Sequence, residues 1–347
     1  MQKTGAKPFI IPIFLPHLGC PHQCAFCNQN AITGVKSHFS SLKHISGLID
    51  KFVQYKKNDC RQVQIAFYGG NFLGLQDDQI ISLLELSSTY VDQNIAQSIR
   101  FSTRPDTITR RRLDLIASFP VSTIEIGVQS MDDRVLQQVN RGHAAKDSET
   151  AFDLLKQRNY KIGAQIMVGL PGESESSTWY TGCKIADIHP DFVRIYPAVV
   201  LTDSLLATWY KQGDYVPLSL EETITRVKHL YLLFTRKNIQ VIRMGLQASE
   251  DLDKNDRILA GPYHPAFGHM VLSEIFFDMA VKKLHMENKT TDHHVSIGVH
   301  PKNISRMRGL KNINVKKLMH MFDIKAIDII PDPAMHHDDC SVALLDS

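Results

Sequence analysis

The segment CPHQCAFC, residues 20–27, gathers three thiols on one short loop. It follows a strand-like apolar run, FIIPIFL, at residues 9–15. Thiolate is a soft ligand that suits zinc, copper(I) and iron–sulfur clusters. A compact loop can direct the sulfurs of Cys20, Cys24 and Cys27 to one centre. The segment therefore predicts a soft-metal site just after the first strand.

The number of cysteines leaves two kinds of site open. A closed structural zinc site takes four protein ligands. Cys60, Cys183 and Cys340 are scattered singly along the chain, so no second cysteine pair exists, although His17 and His22 flank the loop and could complete a zinc site. Otherwise, three thiolates hold an iron–sulfur cluster that keeps one iron open for a substrate or cofactor.

The CxxxCxxC spacing, with Phe26 before the last cysteine, resembles the signature of the radical S-adenosylmethionine (SAM) enzymes. In that family, three cysteines, here Cys20, Cys24 and Cys27, bind a [4Fe–4S] cluster, and the open iron chelates the amino and carboxylate groups of SAM. The resemblance implies reductive cleavage of SAM to methionine and a 5′-deoxyadenosyl radical. It also implies an electron donor such as flavodoxin or ferredoxin as a partner.

Composition indicates an ordinary globular protein. Its 347 residues are 43% hydrophobic, enough for a barrel-sized domain with an appendage or for two ordinary domains. A net charge of +3 is too mild to imply nucleic-acid binding by itself. Residues 1–7 lack a signal-peptide core, and no run approaches the roughly 18 apolar residues of a membrane span. We therefore expect a cytoplasmic protein with no membrane partner, a location in which few cysteines stay reduced.

Strand-like and helical patterns alternate six times between residues 9 and 196. Such alternation favours parallel βαβ units with right-handed crossovers. Because a closed TIM barrel has eight units, we predict an α/β fold in which a partial (β/α)6 TIM-type barrel occupies residues 1–200. Functional residues should then lie at the carboxyl ends of the strands. Residues 201–347, which include a strand pattern at 240–243, are predicted to form a small C-terminal α/β region.

Further motifs resemble the radical-SAM half of the Elongator catalytic subunit and the oxygen-independent coproporphyrinogen oxidases. They are GVQS at 127–130, NRGH at 140–143, VGLPG at 168–172, RIYP at 194–197 and GPYHPAFG at 261–268. The glycine pair at residues 69–70 resembles the SAM-binding loop of radical-SAM enzymes in general. The likeness covers about residues 8–270, so residues from 201 onward are expected to be an Elongator-type extension. It implies SAM contacts from Gly69, Gly70, Ser102, Gln129, Arg141 and Gln165.

Three positions depart from the family pattern. Asn71 and Ser102 stand where relatives often carry glutamate, and Gln165 stands where they often carry aspartate. Hydroxyl and amide groups still form hydrogen bonds, although more weakly than a carboxylate. Arg104 could bind a carboxylate through two hydrogen bonds, or it could have a helix-capping and surface ion-pair role with Asp106.

The resemblance suggests an RNA substrate, such as a wobble uridine of transfer RNA. A first alternative is an enzyme with a small-molecule or porphyrinogen-like substrate. A second alternative is a non-catalytic protein that binds an iron–sulfur cluster or zinc. The chain ends too soon to contain the Elongator acetyltransferase domain, so no acetyl-CoA domain is expected.

A basic tail could neutralise phosphates or simply be a solvated face; it comprises Lys302, Arg306, Arg308, Lys311, Lys316 and Lys317. Residues 336–340, HHDDC, could chelate a metal, but so near the chain end they are expected to belong to a disordered terminus.

Overall fold

The computed structural model describes residues 8–29, 41–56, 61–246, 257–286 and 294–345, so Cys60 lies outside the described residues. The chain divides into two compact units. The first comprises Met1–Ser219 and Leu233–Tyr263, and the second Leu220–Leu232 and His264–Ser347. Across the described ranges, none of the helices combines the length and the apolar character that crossing a membrane would require.

The first unit is built on a seven-stranded sheet in which all neighbouring strands are parallel. In order across the sheet, the strands are β1 (Phe9–Phe14), β2 (Val63–Tyr68), β3 (Ser98–Thr103), β4 (Val121–Gln129), β5 (Lys161–Val168), β6 (Phe192–Pro197) and β8 (Gln240–Met244). Two short strands, β7 (Val200–Leu201) and β9 (Ile258–Ala260), pair antiparallel outside this sheet.

Helices connect the strands of the first unit, as the alternating pattern predicts. They are α1 (Leu42–Tyr55), α2 (Asp77–Asp92), α3 (Arg110–Leu115), α4 (Asp133–Gln138), α5 (Ala145–Lys156), α6 (Glu175–Ile188), α7 (Leu205–Gln212) and α8 (Leu220–Arg236), of which α8 belongs to the second unit up to residue 232. Ser41, Thr109 and Ser174 accept hydrogen bonds from backbone N–H groups at helix starts. Such caps satisfy donors that a helix leaves unpaired.

The α/β fold with a partial TIM-type barrel is confirmed, and the sheet gains a seventh strand. Strand β8 comes from beyond residue 200 and pairs parallel with β6. The first compact unit therefore extends past residue 200. The division into a barrel core at 1–200 and an extension at 201–347 stays a prediction.

The sheet curls into a half-barrel. Strands β2 and β6 stand four positions apart, which is about 19 Å in a flat sheet with ~4.8 Å spacing. Even so, Tyr68 Oη on β2 lies 3.3 Å from Arg194 Nη2 on β6. Side chains of this length meet only when the sheet is curved around them. We call the concave face of the sheet the lumen.

Alternation along each strand separates an apolar face from the lumen. On β3, Ile99 and Phe101 are fully buried, whereas Arg100 and Ser102 point to the opposite face and bond to residues of other strands. A strand places successive side chains on opposite faces, so this pattern is the one expected for a half-barrel with a polar interior.

The second unit contains a three-stranded mixed sheet. Strand β10 (His294–Val299) pairs parallel with β11 (Ala326–Pro331) and antiparallel with β12 (Cys340–Leu345). Its further helices are α9 (Phe267–Leu284), α10 (Ile304–Arg308) and α11 (Ile313–Phe322).

The expectation of a disordered terminus at residues 336–340 is wrong. Strand β12 begins at Cys340, which is fully buried. Its alternate residues Val342 and Leu344 pack against the core of the second unit. The period-2 apolar pattern, rather than closeness to the chain end, decides the structure here.

Candidate functional site

The cysteine segment follows β1 at the carboxyl edge of the sheet and is anchored through its middle residue, Ala25. The N–H of Ala25 donates to the carbonyl of Val139 (2.9 Å), and its carbonyl accepts from the N–H of Leu206 (2.8 Å). The Ala25 side chain is fully buried among apolar neighbours that include Val135 and Leu170. The loop is thus fixed from two sides, with a cysteine directly before Ala25 and another two residues after it.

The three thiols interact electrostatically. Cys24 is buried, Cys20 and Cys27 are half-buried, and all three are free. Burial, reinforced by Cys24 and Cys20, raises the pKa of Cys27 to about 12. Burial and then Cys24 raise the pKa of Cys20, while Arg141 and Arg104 oppose that shift. Closely placed thiolates repel one another, and binding to a metal centre displaces their protons.

The cysteine loop offers thiolates, the ligand type that holds iron–sulfur clusters. Among the described residues, no group of three or more His, Cys, Asp or Glu side chains is placed to hold one metal ion. A zinc ion needs its ligand atoms about 2.0–2.3 Å from one point. In a four-iron cluster each thiolate binds its own iron, so the sulfurs stand farther apart. His17, one of the alternative zinc ligands, already accepts a hydrogen bond at Nε2 from Gln29 N (3.1 Å).

Arg141 lies against the cysteine loop. Its Nη1 donates to Cys24 Sγ (3.3 Å), and its Nη2 donates to the Gly127 carbonyl at the end of β4 (2.5 Å). The residue is 6% exposed, and its Nε has no hydrogen-bond acceptor. Arg141 therefore has one buried N–H group available for a further anionic partner.

In the structure, Arg104 is an ion-pair partner of Asp106, the second of the two roles considered for it. It forms a bidentate ion pair with Asp106, with distances of 2.9 and 3.0 Å. Its Nη1 is nevertheless buried without an acceptor. Nε2 of His143 is also buried without a partner, but Nδ1 of the neutral ring donates to the Ala144 carbonyl (3.2 Å), so Nε2 is an acceptor. Arg104 and Arg141 each act electrostatically on Cys20 and on His143. Unpaired buried donors are rare in proteins, and the two arginine N–H groups lie near the predicted metal ligands, where an anionic group could accept from them.

Gly69 and Gly70 are needed for packing of the chain itself. Gly69 has a φ of +87°, and a Cβ on Gly70 would lie 2.4 Å from the Leu15 carbonyl oxygen and 2.6 Å from that of Leu18. The loop between β1 and the cysteines therefore lies directly on this glycine pair. A contact of Gly69 and Gly70 with SAM stays a prediction.

Asn71 is a hydrogen-bonding centre beneath the cysteine loop. It is fully buried, and its Nδ2 donates to the Gly19 carbonyl (2.8 Å), one residue before Cys20. Its Oδ1 accepts from Thr103 Oγ1 (2.7 Å), Arg104 N (3.0 Å) and Thr107 Oγ1 (2.9 Å). The amide thus ties the cysteine loop to the end of β3.

Ser102 and Gln165 meet in the lumen. Gln165 Nε2 lies 3.2 Å from Ser102 Oγ and 2.9 Å from Glu125 Oε2. Glu125 is fully buried, with Arg100 at 2.5 Å and Arg194 at 2.6 Å. These two guanidiniums hold the pKa of Glu125 below its ordinary value although burial alone would raise it. The structure thus places the two predicted SAM contacts beside a buried, ionised carboxylate.

Gln129 ends β4 in a left-handed conformation. Its φ is +70°, and the register with β5 shifts between Gly127 and Gln129. Such backbone outliers in non-glycine residues are uncommon and concentrate at functional sites. The irregularity turns Gln129 at the carboxyl edge; its contact with SAM stays a prediction.

Sequence analysis missed Glu125 and the role of Asn71. The TIEIG pattern of β4 alternates, which puts Glu125 on the face of Gly127, so a carboxylate in a central strand was the available signal. The hydrogen bonds of Asn71 join segments 30 or more residues apart, and no local pattern indicates them.

An open pocket of about 750 Å³ lies beside the cysteine loop in the first unit. Its lining includes His22 and Gln23 from the loop, and Asn140 and His143 from the segment before α5. The NRGH motif therefore contributes to the surface next to the predicted metal ligands.

Comparison with known protein families agrees with this geometry. Residues 14–181 match the model of the radical SAM superfamily, and residues 190–276 match that of the Radical_SAM C-terminal domain. The chain belongs to the radical SAM superfamily, whose members are enzymes that use a [4Fe–4S] cluster and SAM.

Within the superfamily, the chain is similar to Elongator-type proteins. It is 30% identical to a tRNA uridine(34) acetyltransferase of Methanocaldococcus infernus over 65% of this chain and 50% of that protein. It is 27% identical to an uncharacterized protein of Methanocaldococcus jannaschii over 72% of this chain and 81% of the other. The structure of Elp3 from Methanocaldococcus infernus superposes with a TM-score of 0.62 at 18% identity, over 78% of this chain and 63% of that one, which shows the shared fold. The chain spans about half the length of the human Elongator complex protein 3.

Proposed function

We propose that Cys20, Cys24 and Cys27 bind a [4Fe–4S] cluster and that this chain cleaves SAM reductively. When bound and reduced, the cluster supplies the electron that breaks SAM into methionine and a 5′-deoxyadenosyl radical. The observation that carries the proposal is the pair of buried, unpartnered N–H groups on Arg104 and Arg141 beside the cysteine loop.

The residues of the chain perform binding and orientation. Arg141 Nε is available to the carboxylate of SAM while Nη1 holds the Cys24 sulfur. Ser102 and Gln165 offer a hydroxyl and an amide to the ribose, with Gln165 oriented by Glu125. Gly69 and Gly70 follow β2, and Gln129 ends β4, at the same carboxyl edge of the sheet. Backbone groups there can bind the amino group and the methionine part of SAM. A one-electron donor such as flavodoxin or ferredoxin supplies the reducing equivalent.

The test is anaerobic reconstitution with iron and sulfide, followed by dithionite and SAM. Wild type should hold about four irons and four sulfides and release 5′-deoxyadenosine, detected by mass spectrometry. Cys24→Ser should lose both, whereas Cys183→Ser, a single thiol on α6, should retain both. A verified cluster that yields no 5′-deoxyadenosine, or one zinc per chain instead of iron, would contradict the proposal.

For the substrate, we propose a uridine of transfer RNA. The support is similarity to proteins named tRNA uridine(34) acetyltransferase. Nucleosides of tRNA from a strain lacking the gene should differ from wild type by mass spectrometry, and the plasmid-borne gene should restore them where its Cys24→Ser variant does not. Identical nucleoside profiles would instead favour a small-molecule substrate.

A further inference from the structure

The lumen contains more positive than negative charge. Arg100, Arg194 and Arg243 contribute guanidiniums from three strands, and Glu125 contributes a carboxylate from β4. Burying charge without a counter-ion is costly. An excess of guanidinium in an enclosed polar face therefore calls for an anionic partner.

Two of these three arginines, Arg100 and Arg194, pair with Glu125. Its Oε1 lies 2.5 Å from Arg100 Nη2 and 3.0 Å from Tyr68 Oη, and its Oε2 lies 2.6 Å from Arg194 Nε and 2.9 Å from Gln165 Nε2. Both carboxylate oxygens have at least two partners.

Arg243 is left without a carboxylate. It pairs in register with Arg194, so both side chains leave the sheet on the same face. It is half-buried, one residue before the end of β8, and bears electrostatically on Tyr196 together with Arg194. Within the described chain, the Arg243 side chain forms no ion pair or hydrogen bond.

Phe192 packs against Gly163 near the amino ends of β5 and β6, beneath these groups. The ring of Phe192 fills the space above Gly163, where a Cβ would lie 2.3 Å from the ring. The Arg100 guanidinium lies 5.6 Å from the Phe192 ring centroid. A ligand therefore enters from the carboxyl edge, where Arg243 stands.

We infer that Arg243, beside Arg194, binds an oxyanion carried by the substrate, either a phosphate or a carboxylate. The inference rests on the proposed function only in calling the ligand a substrate. A guanidinium binds either oxyanion through two parallel N–H groups. The site thus selects substrates that present an anion at the carboxyl edge of the sheet.

The test is titration calorimetry of the full chain with inorganic phosphate, uridine 5′-monophosphate and acetate as probes. Wild type should bind at least one of them, and the preferred probe distinguishes phosphate from carboxylate. Arg243→Gln should weaken binding roughly ten- to hundredfold, as expected for loss of a charged hydrogen-bonding partner, and Arg243→Lys should restore part of it. Arg134→Gln, at a side chain 90% exposed on α4, is the matched control and should bind like wild type.

Thermal melting separates misfolding from loss of the site. Because Arg243 adds to an uncompensated positive charge, Arg243→Gln should melt at or above the wild-type temperature without probe. Unchanged affinity in Arg243→Gln, no binding by wild type, or loss of binding in Arg141→Gln alone would overturn the inference. These titrations need neither cluster nor SAM. Anion binding without 5′-deoxyadenosine formation would defeat the proposed function alone, and SAM cleavage without anion binding would defeat the inference alone.

Discussion

The guanidinium of Arg141 donates a hydrogen bond to the sulfur of Cys24 across 3.3 Å and a second to the carbonyl of Gly127. One side chain therefore connects the cysteine loop to the end of β4, on the far side of two intervening strands. The family resemblance implies that Arg141 contacts SAM. The structure adds a contact with a predicted cluster ligand and leaves the Nε of Arg141 without an acceptor.

Replacing Arg141 should loosen the cysteine loop and change the cluster. Arg141→Gln removes a charge-assisted hydrogen bond, so we expect a loss of about 2 kcal/mol in the free energy of unfolding. The reconstituted cluster should have a lower midpoint potential, because a positive charge near it favours the reduced state. Potentiometric titration followed by electron paramagnetic resonance measures this, with Arg134→Gln as control. An unchanged potential in Arg141→Gln would argue against the contact.

Adding a methyl group at Gly19 should displace the loop. Gly19 and Gly213 both have positive φ, +72° and +84°, so alanine is strained at either position by about 1–2 kcal/mol. Only at Gly19 would the Cβ also collide, 2.2 Å from the Asn71 carbonyl oxygen; at Gly213 nothing lies within 4 Å. Urea unfolding should therefore show a clearly larger loss for Gly19→Ala than for Gly213→Ala, together with lower iron content. An equal loss of stability in the two variants would mean that the cysteine loop moves away from a Cβ at Gly19 without a measurable cost.

Removing the Asn71 amide should destabilise the first unit strongly. Asn71→Ala leaves the Gly19 carbonyl without its donor and takes the Asn71 acceptor from Thr103 Oγ1 and Arg104 N. The Thr107 hydroxyl keeps the Arg104 carbonyl as its acceptor. At about 1–3 kcal/mol for each buried unsatisfied group, we expect at least 3 kcal/mol by urea unfolding. Asn71→Asp keeps Oδ1 but sets a carboxylate oxygen against the Gly19 carbonyl, so it should not rescue stability. Gln137→Ala, at an exposed position of α4, is the control, and a loss below 1 kcal/mol for Asn71→Ala would refute this account.

Acid should destabilise the folded chain through His143. Burial, followed by Arg141, lowers its pKa from 6.5 to about 4. The neutral ring is therefore favoured in the folded state, and its contribution is fully present above pH 6.5 and lost as pH falls from 6.5 toward 4. The shift corresponds to roughly 3 kcal/mol.

Urea unfolding of the cluster-free chain at several pH values measures the effect of His143. The pH dependence over this window should flatten in His143→Gln but persist in His44→Gln, at an exposed position of α1. An equally steep pH dependence in His143→Gln would place the titrating group elsewhere.

Much of the fold was predictable because strand and helix periods are local properties of sequence. The six strands from β1 to β6 are short runs rich in β-forming residues and are followed by helical patterns, so their existence and order could be read directly. The pairing of β8 with β6 could not, because a strand pattern at 240–243 does not indicate which sheet it joins. Strand β12 was missed because its position near the chain end outweighed its clear alternation.

The candidate site likewise has parts that the local sequence predicts and parts that it does not. The cysteine spacing identifies the metal ligands locally, and motif likeness brings Ser102, Gln129, Arg141 and Gln165 to one edge. The interactions that orient them cross the sheet: Gln165 bonds to Glu125 from another strand, and Arg141 contacts Cys24 across 117 residues. Such partners follow from the curvature of the sheet, which no single segment encodes.

The Asn71 amide also limits how this protein can be re-engineered. The Asn71 oxygen accepts from three donors. The Thr103 hydroxyl also accepts from Leu73 N, and the Thr107 hydroxyl also bonds to the Arg104 carbonyl, so a substitution at either threonine removes more than one bond. Libraries intended to redirect the loop should therefore randomise positions 71, 103 and 107 jointly, and homologues should exchange these residues as a set.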